Sequence, residues 1–73
     1  MMKWVWNQEK DKTVDIATGN ILDINEYIEG SFGVRFVPIL NEECTPLIEF
    51  RSKQAAQEFI TNLTGAVNGG NHD

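Results

Sequence analysis

The sequence is poor in the residues from which most active sites and metal centres are built. Its 73 residues include one cysteine, Cys44, and one histidine, His72. One cysteine excludes an intramolecular disulfide framework, and the pair cannot supply the four ligands of a structural zinc site. His72 lies in a polar, glycine-rich ending that would not hold a catalytic base in place. We therefore expect no catalytic residue, no metal site and no cofactor.

Basic residues are also scarce. The chain has six lysines and arginines against eleven aspartates and glutamates, for a net charge of -5. An acidic chain repels phosphate backbones, so direct nucleic-acid binding is not expected. No apolar run approaches the roughly 20 residues of a membrane-spanning helix, and no apolar leader is present. With the lone cysteine, these features predict a cytoplasmic protein that does not bind membranes.

Short segments of alternating character predict strands through the first two thirds of the chain. Five segments qualify: residues 3–7, 13–16, 21–29, 34–40 and 47–50. Residues 21–29 also fit a helical stripe, but their β-branched content favours a strand. Gly30 and Gly33 indicate a turn around Ser31 and Phe32, and Pro38 indicates an edge position or a bulge.

One segment near the end predicts a helix. Ser52 is a suitable N-cap, and Gly65 is a suitable stop signal. Between them, apolar residues recur at helical spacing along one stripe, comprising Ala55, Ala56, Phe59, Ile60 and Leu63.

These elements predict a single α+β domain over residues 1–64, with a disordered tail at 65–73. Its sheet is an antiparallel β-meander of four to five short strands, and the one C-terminal helix packs on one face. Every connection is short enough for a hairpin, so we expect no parallel crossover. A sheet of this size offers little concavity for a substrate, and we expect the protein not to be an enzyme.

Two features are candidates for an interaction surface. The first is the pair Trp4 and Trp6, which share one side of a strand while Val5 points to the other. They lie either beneath the helix as core residues or on the open side of the sheet as an interface anchor.

The second candidate is the acidity of the middle of the chain, represented by Glu26, Glu29, Glu42 and Glu43. These side chains either are simply solvated or form a patch that meets a basic partner. A third interpretation is that the acidic patch imitates nucleic acid.

The opening Met2-Lys3-Trp4-Val5-Trp6-Asn7, followed by a charged turn and Val14-Asp15-Ile16, resembles small proteins encoded by phages, prophages and mobile elements of Gram-positive bacteria. The ending resembles them as well, with a strand that finishes at Phe50, Ser-Lys-Gln-Ala-Ala at 52–56 and an aliphatic helix. The likeness covers most of residues 2–63 and transfers no functional residue. It implies a small protein that binds a host enzyme, as phage inhibitors of RNA polymerase of similar architecture do.

The sequence therefore predicts a non-catalytic protein-binding module, in which the resemblance points to a phage or mobile-element protein that docks on a host protein. The alternative is a self-associating, homodimeric structural protein that uses a sheet edge or face. An acidic nucleic-acid mimic is the third possibility.

Overall fold

The computed structural model describes residues 3–40, 43 and 45–68. In chain order the elements are β1 (Trp4–Trp6), β2 (Lys12–Asp15), β3 (Ile21–Ile28), β4 (Ser31–Val37), β5 (Thr45–Phe50), α1 (Lys53–Thr64) and β6 (Val67–Asn68).

The strands of the described residues form one sheet in the order β5-β4-β3-β2-β1-β6. From β1 to β5 it is an antiparallel meander in which each strand pairs with the next. The α+β class and the meander are confirmed. The sheet has more strands than expected, and β6 runs parallel to β1. Short connections exclude parallel pairing only between neighbours in sequence, whereas β1 and β6 come from opposite ends of the domain.

Residues 65–68 are structured, although the sequence assigned them to a disordered tail. Gly65 caps α1 in the left-handed region, at φ 72°, and its N–H donates to the Thr61 carbonyl over 2.7 Å. Ala66 is buried, and Val67 pairs with Val5 of β1. Residues 65–68 differ from the expectation because the helix returns the chain to β1, where Ala66 is buried and Val67 finds a backbone partner. Residues 69–73, including His72, lie outside the described residues.

The hairpin of β3 and β4 corrects the expected turn. Ile28 pairs directly with Ser31, so the turn is Glu29-Gly30, with Gly30 at φ 82°. Ser31 begins β4 rather than belonging to the turn. The strand ends at Val37, one residue before Pro38, whose ring nitrogen cannot donate to a ladder.

Helix α1 begins and ends where its caps predict. The Ser52 hydroxyl oxygen accepts the Ala55 N–H over 3.1 Å. Ala56 and Ile60 are fully buried against the sheet, and Phe59 packs on Phe50 with ring centroids 5.4 Å apart. Leu63, the last apolar residue of the predicted stripe, is instead 59% exposed, because it lies one turn beyond the aromatic contact.

The two tryptophans occupy the first of their two possible positions. Trp4 is 8% exposed and Trp6 is 4% exposed. They pair across strands with Asp15 and Thr13, and this register puts them on the sheet side that α1 covers, which we call the helix face. The core consists of Trp4, Trp6, Leu22, Ile24, Val34, Ala56, Ile60 and Ala66. Trp4 and Trp6 are therefore not an exposed interface anchor in this fold.

We expect Trp6→Ala to lower the free energy of unfolding by about 3–5 kcal/mol, because it leaves a large cavity in a small core. Urea denaturation followed by circular dichroism measures the change. Leu63→Ala removes an exposed apolar side chain and should change stability by less than about 0.5 kcal/mol. Equal midpoints for the two variants would contradict the core position of Trp6.

Gly65→Ala should cost about 1 kcal/mol of unfolding free energy, since the added Cβ disfavours the left-handed cap. Apart from the chain neighbours of Gly65, no atom of the described residues lies within 4 Å of that Cβ position, so the cost comes from backbone conformation. Gly33→Ala is the matched control, because Gly33 lies outside the left-handed region and its Cβ would meet Tyr27 at an ordinary 3.5 Å. If thermal unfolding shows equal losses for both variants, the assigned origin of the Gly65 effect is wrong.

Candidate functional site: the open face of the sheet

The sheet side opposite α1 has no described helix or strand over it, and we call it the open face. Five aliphatic side chains cross it in direct cross-strand register, one from each of five adjacent strands, in the order Val67, Val5, Val14, Ile21 and Val37. Directly opposed residues share a face of the sheet, so these five form one continuous aliphatic row. Val67 is 50% exposed, and the other four are half-buried among their neighbours.

A charged row runs beside the aliphatic row on the same face. Lys12 opposes Asp23, and Asp23 opposes Arg35. The Arg35 guanidinium donates two hydrogen bonds to the Asp23 carboxylate, from Nε over 2.9 Å and from Nη2 over 2.7 Å. This bidentate geometry orients both planar groups along the sheet surface. The Asp23 and Arg35 side chains are thus held in a fixed arrangement next to the aliphatic row.

A tyrosine lies across the sheet at the other end of the open face. The ring of Tyr27 passes over Gly33, which has no side chain to obstruct it, and its hydroxyl bonds to the Glu49 carboxylate on β5. This hydrogen bond, with partial burial and the charge of Glu49, raises the pKa of Tyr27 above its ordinary 10.0, although Ser31 opposes the shift. The phenol therefore stays protonated at neutral pH.

Asp15 is a carboxylate buried beside Trp4 on the helix face, only 1% exposed. Its Oδ1 accepts the N–H groups of Lys3 and Ala17, over 3.2 and 3.1 Å, and its Oδ2 accepts the Thr18 hydroxyl over 2.9 Å. Burial raises the pKa of Asp15, but the hydrogen bonds from Ala17, Thr18 and Lys3 together outweigh this effect. The pKa of Asp15 is therefore lowered from its ordinary 3.8. Asp15 thus holds the β2–β3 connection and the start of β1 together.

The acidic candidates do not form one patch. Glu26 and Glu29 lie at the β3–β4 turn, where a Glu26 carboxylate oxygen accepts the Gly30 N–H over 3.2 Å. Glu43 is exposed at the opposite end of β4, in the connection to β5. Glu42 lies outside the described residues, as does Cys44. The structure therefore separates Glu26 and Glu29 from Glu43, and it places none of the three on the open face.

A groove of about 400 Å³ separates α1 from the β1–β2 connection. Gln57 spans its floor by donating to the Lys10 carbonyl over 2.9 Å. The described lining offers one carboxylate, Glu58, and one amine, Lys10, among amide and hydroxyl side chains and the indole of Trp6. In residues 3–40, 43 and 45–68, no three His, Cys, Asp or Glu side chains are grouped closely enough for a metal ion. In the same part of the chain, no helix has the length and hydropathy needed to cross a membrane.

The aliphatic row was not found from the sequence, although one signal was present. Alternation within β1 places Val5 on the side of the strand away from Trp4 and Trp6. Within β2 it likewise places Val14 on the side away from Thr13 and Asp15. Each strand therefore shows a single aliphatic residue on its second side. Only the register between strands reveals that these single residues are aligned.

No protein-family model, curated protein or solved structure matches this chain. The interpretation of the open face therefore depends on its own geometry, which is an aliphatic centre beside charges of both signs.

The buried Asp15 predicts a pH dependence of stability. Because its pKa is lower in the folded state, its contribution is present above the ordinary value of 3.8 and is lost as pH falls through the lower folded value. The urea midpoint of the wild-type protein should therefore fall with acidification below pH 3.8 more steeply than that of Asp15→Asn. Glu58→Gln, at an exposed helix position, is the control and should follow the wild-type curve. Parallel curves for wild type and Asp15→Asn would contradict the role of Asp15.

Proposed function

We propose that the protein is a non-catalytic protein-binding module that buries the open face of its sheet against another protein chain. The observation that carries the proposal is the aliphatic row of Val67, Val5, Val14, Ile21 and Val37. An antiparallel sheet with one solvated face ordinarily alternates between apolar and polar sides. Here both sides of the sheet are apolar at this level, although the described helix covers only one of them.

The composition of the open face supports binding to protein. Interfaces between proteins combine an apolar centre with a polar rim, and Arg is enriched in them. The aliphatic row supplies the centre, and Lys12, Asp23 and Arg35 supply one side of the rim. The Asp23–Arg35 pair is held in a fixed geometry, which favours orientation and specificity over raw affinity.

The ionisation states of the perturbed side chains also favour binding over catalysis. General acid–base catalysis works best with a pKa near the operating pH. The pKa of Asp15 is shifted down and that of Tyr27 is shifted up, so both move away from neutrality. The resemblance to mobile-element proteins makes a host protein one possible partner class.

Site-specific photo-crosslinking in native cells tests the proposal. A benzophenone amino acid replaces Lys12, which is exposed beside the aliphatic row, and in a control replaces Asn62, which is exposed on α1. We expect a discrete protein adduct from position 12 and none from position 62, with the adduct identified by mass spectrometry. Adding Val14→Lys to the position-12 protein should remove the adduct. Equal labelling from both positions, or none from position 12, would contradict the proposal.

A further inference from the structure

We infer that the chain bound by the open face is a second copy of this protein, so that two sheets pack face to face with the helices on the outside. The inference rests on the proposed function, because it names the occupant of the same surface. Charge, size and the condition of the sheet edges each support it.

The charge distribution distinguishes the open face from the rest of the molecule. The open-face positions of its strands carry two basic residues, Lys12 and Arg35, and two acidic residues, Asp23 and Glu49. The chain has six basic and eleven acidic residues in total, which leaves four basic and nine acidic elsewhere and accounts for the whole net charge of -5. Over the remaining residues taken together, acidic side chains outnumber basic ones, so an approach of two copies there is on average opposed by like charges. The open face is neutral overall, so a second copy that approaches through it meets no net charge repulsion.

The broad side of the molecule is large enough to accommodate the interface of a stable dimer. The molecule measures 32 × 31 × 18 Å, and the short dimension is the thickness of one sheet and one helix. The broad side therefore offers at most about 1,000 Å², compared with about 800 Å² per partner in a standard interface. Packed sheets lie about 10 Å apart, with inner side chains of the Val and Ile type filling the space. A small domain also gains stability by sharing a core.

The sheet edges are poorly suited to self-association. On one edge, β5 contains Pro46, which cannot donate a backbone hydrogen bond, and its pairing with β4 is irregular between Val34 and Arg35. On the other edge, β6 has two residues, Val67 and Asn68. Short, proline-containing or irregular edges are devices that oppose strand addition. Self-association is therefore directed to the face rather than to an edge.

Sedimentation equilibrium across micromolar concentrations tests the inference with the whole chain. We expect the wild type to dimerise and Val14→Lys to raise the dimer dissociation constant at least about 10-fold, because a lysine at the centre of the row would be buried without a partner. Leu63→Lys is the matched control, since it places the same charge at an exposed apolar position on α1 and should leave dimerisation unchanged.

A second variant avoids disturbing the fold. Lys12 is exposed, and Lys12→Glu turns the neutral open face acidic. It should weaken the dimer at low ionic strength, and added salt should reduce the effect. Circular dichroism and urea midpoints establish that each variant is folded.

The outcomes separate this inference from the proposed function. A wild type that remains monomeric overturns the second copy as partner, and so does a dimer that Leu63→Lys dissociates but Val14→Lys does not. In the crosslinking experiment, an adduct of two identical chains supports the inference. An adduct with a different protein overturns the inference while supporting the binding function, and the lack of any adduct from position 12 contradicts that function.

Discussion

The structure depends on one constraint, which is that a single described helix of 12 residues packs against a six-stranded sheet and can cover only one of its two sides. Ala56 and Ile60 are the buried residues of α1, which lies close to β3, β4 and β5. Trp4 and Trp6 of β1 belong to the same core cluster as Ala56 and Ile60. The helix face is thereby closed with large aromatic side chains. No described element remains for the opposite face, and the aliphatic row stays accessible there.

The buried polar side chains of the core form hydrogen bonds within the chain. The buried Thr13 hydroxyl donates to the Leu22 carbonyl over 3.0 Å, and the Asp15 carboxylate accepts three hydrogen bonds. Buried polar groups with partners stabilise one arrangement of the chain, whereas unpaired ones cost free energy. Thr13 and Asp15 therefore hold β2 and its neighbouring connections in place. The surface chemistry lies instead in the Asp23–Arg35 pair and in Tyr27, both on the open face.

The proposed binding function and the proposed dimer have a common physical basis. A small domain buries a modest share of its apolar surface, and an aliphatic row exposed to water remains unfavourable until something covers it. A partner that covers the row has to tolerate the charges next to it. A second copy meets this requirement through its own Lys12, Arg35, Asp23 and Glu49, whose signs balance. The remaining surface is acidic and would discourage further association of copies.

The sequence by itself determined the local elements of this protein. The strands of the meander, the Ser52 cap and the Gly65 stop follow from alternation, helical spacing and capping chemistry, which act over a few residues. Tertiary structure alone decided the remainder. Trp4 and Trp6 lie on the side of the sheet that the helix covers, Leu63 is exposed, and β6 joins β1. Tertiary structure also aligned Val5 and Val14 with their neighbours. Periodicity shows which residues share one side of a strand, but the side that meets the helix depends on register and on the path of the chain.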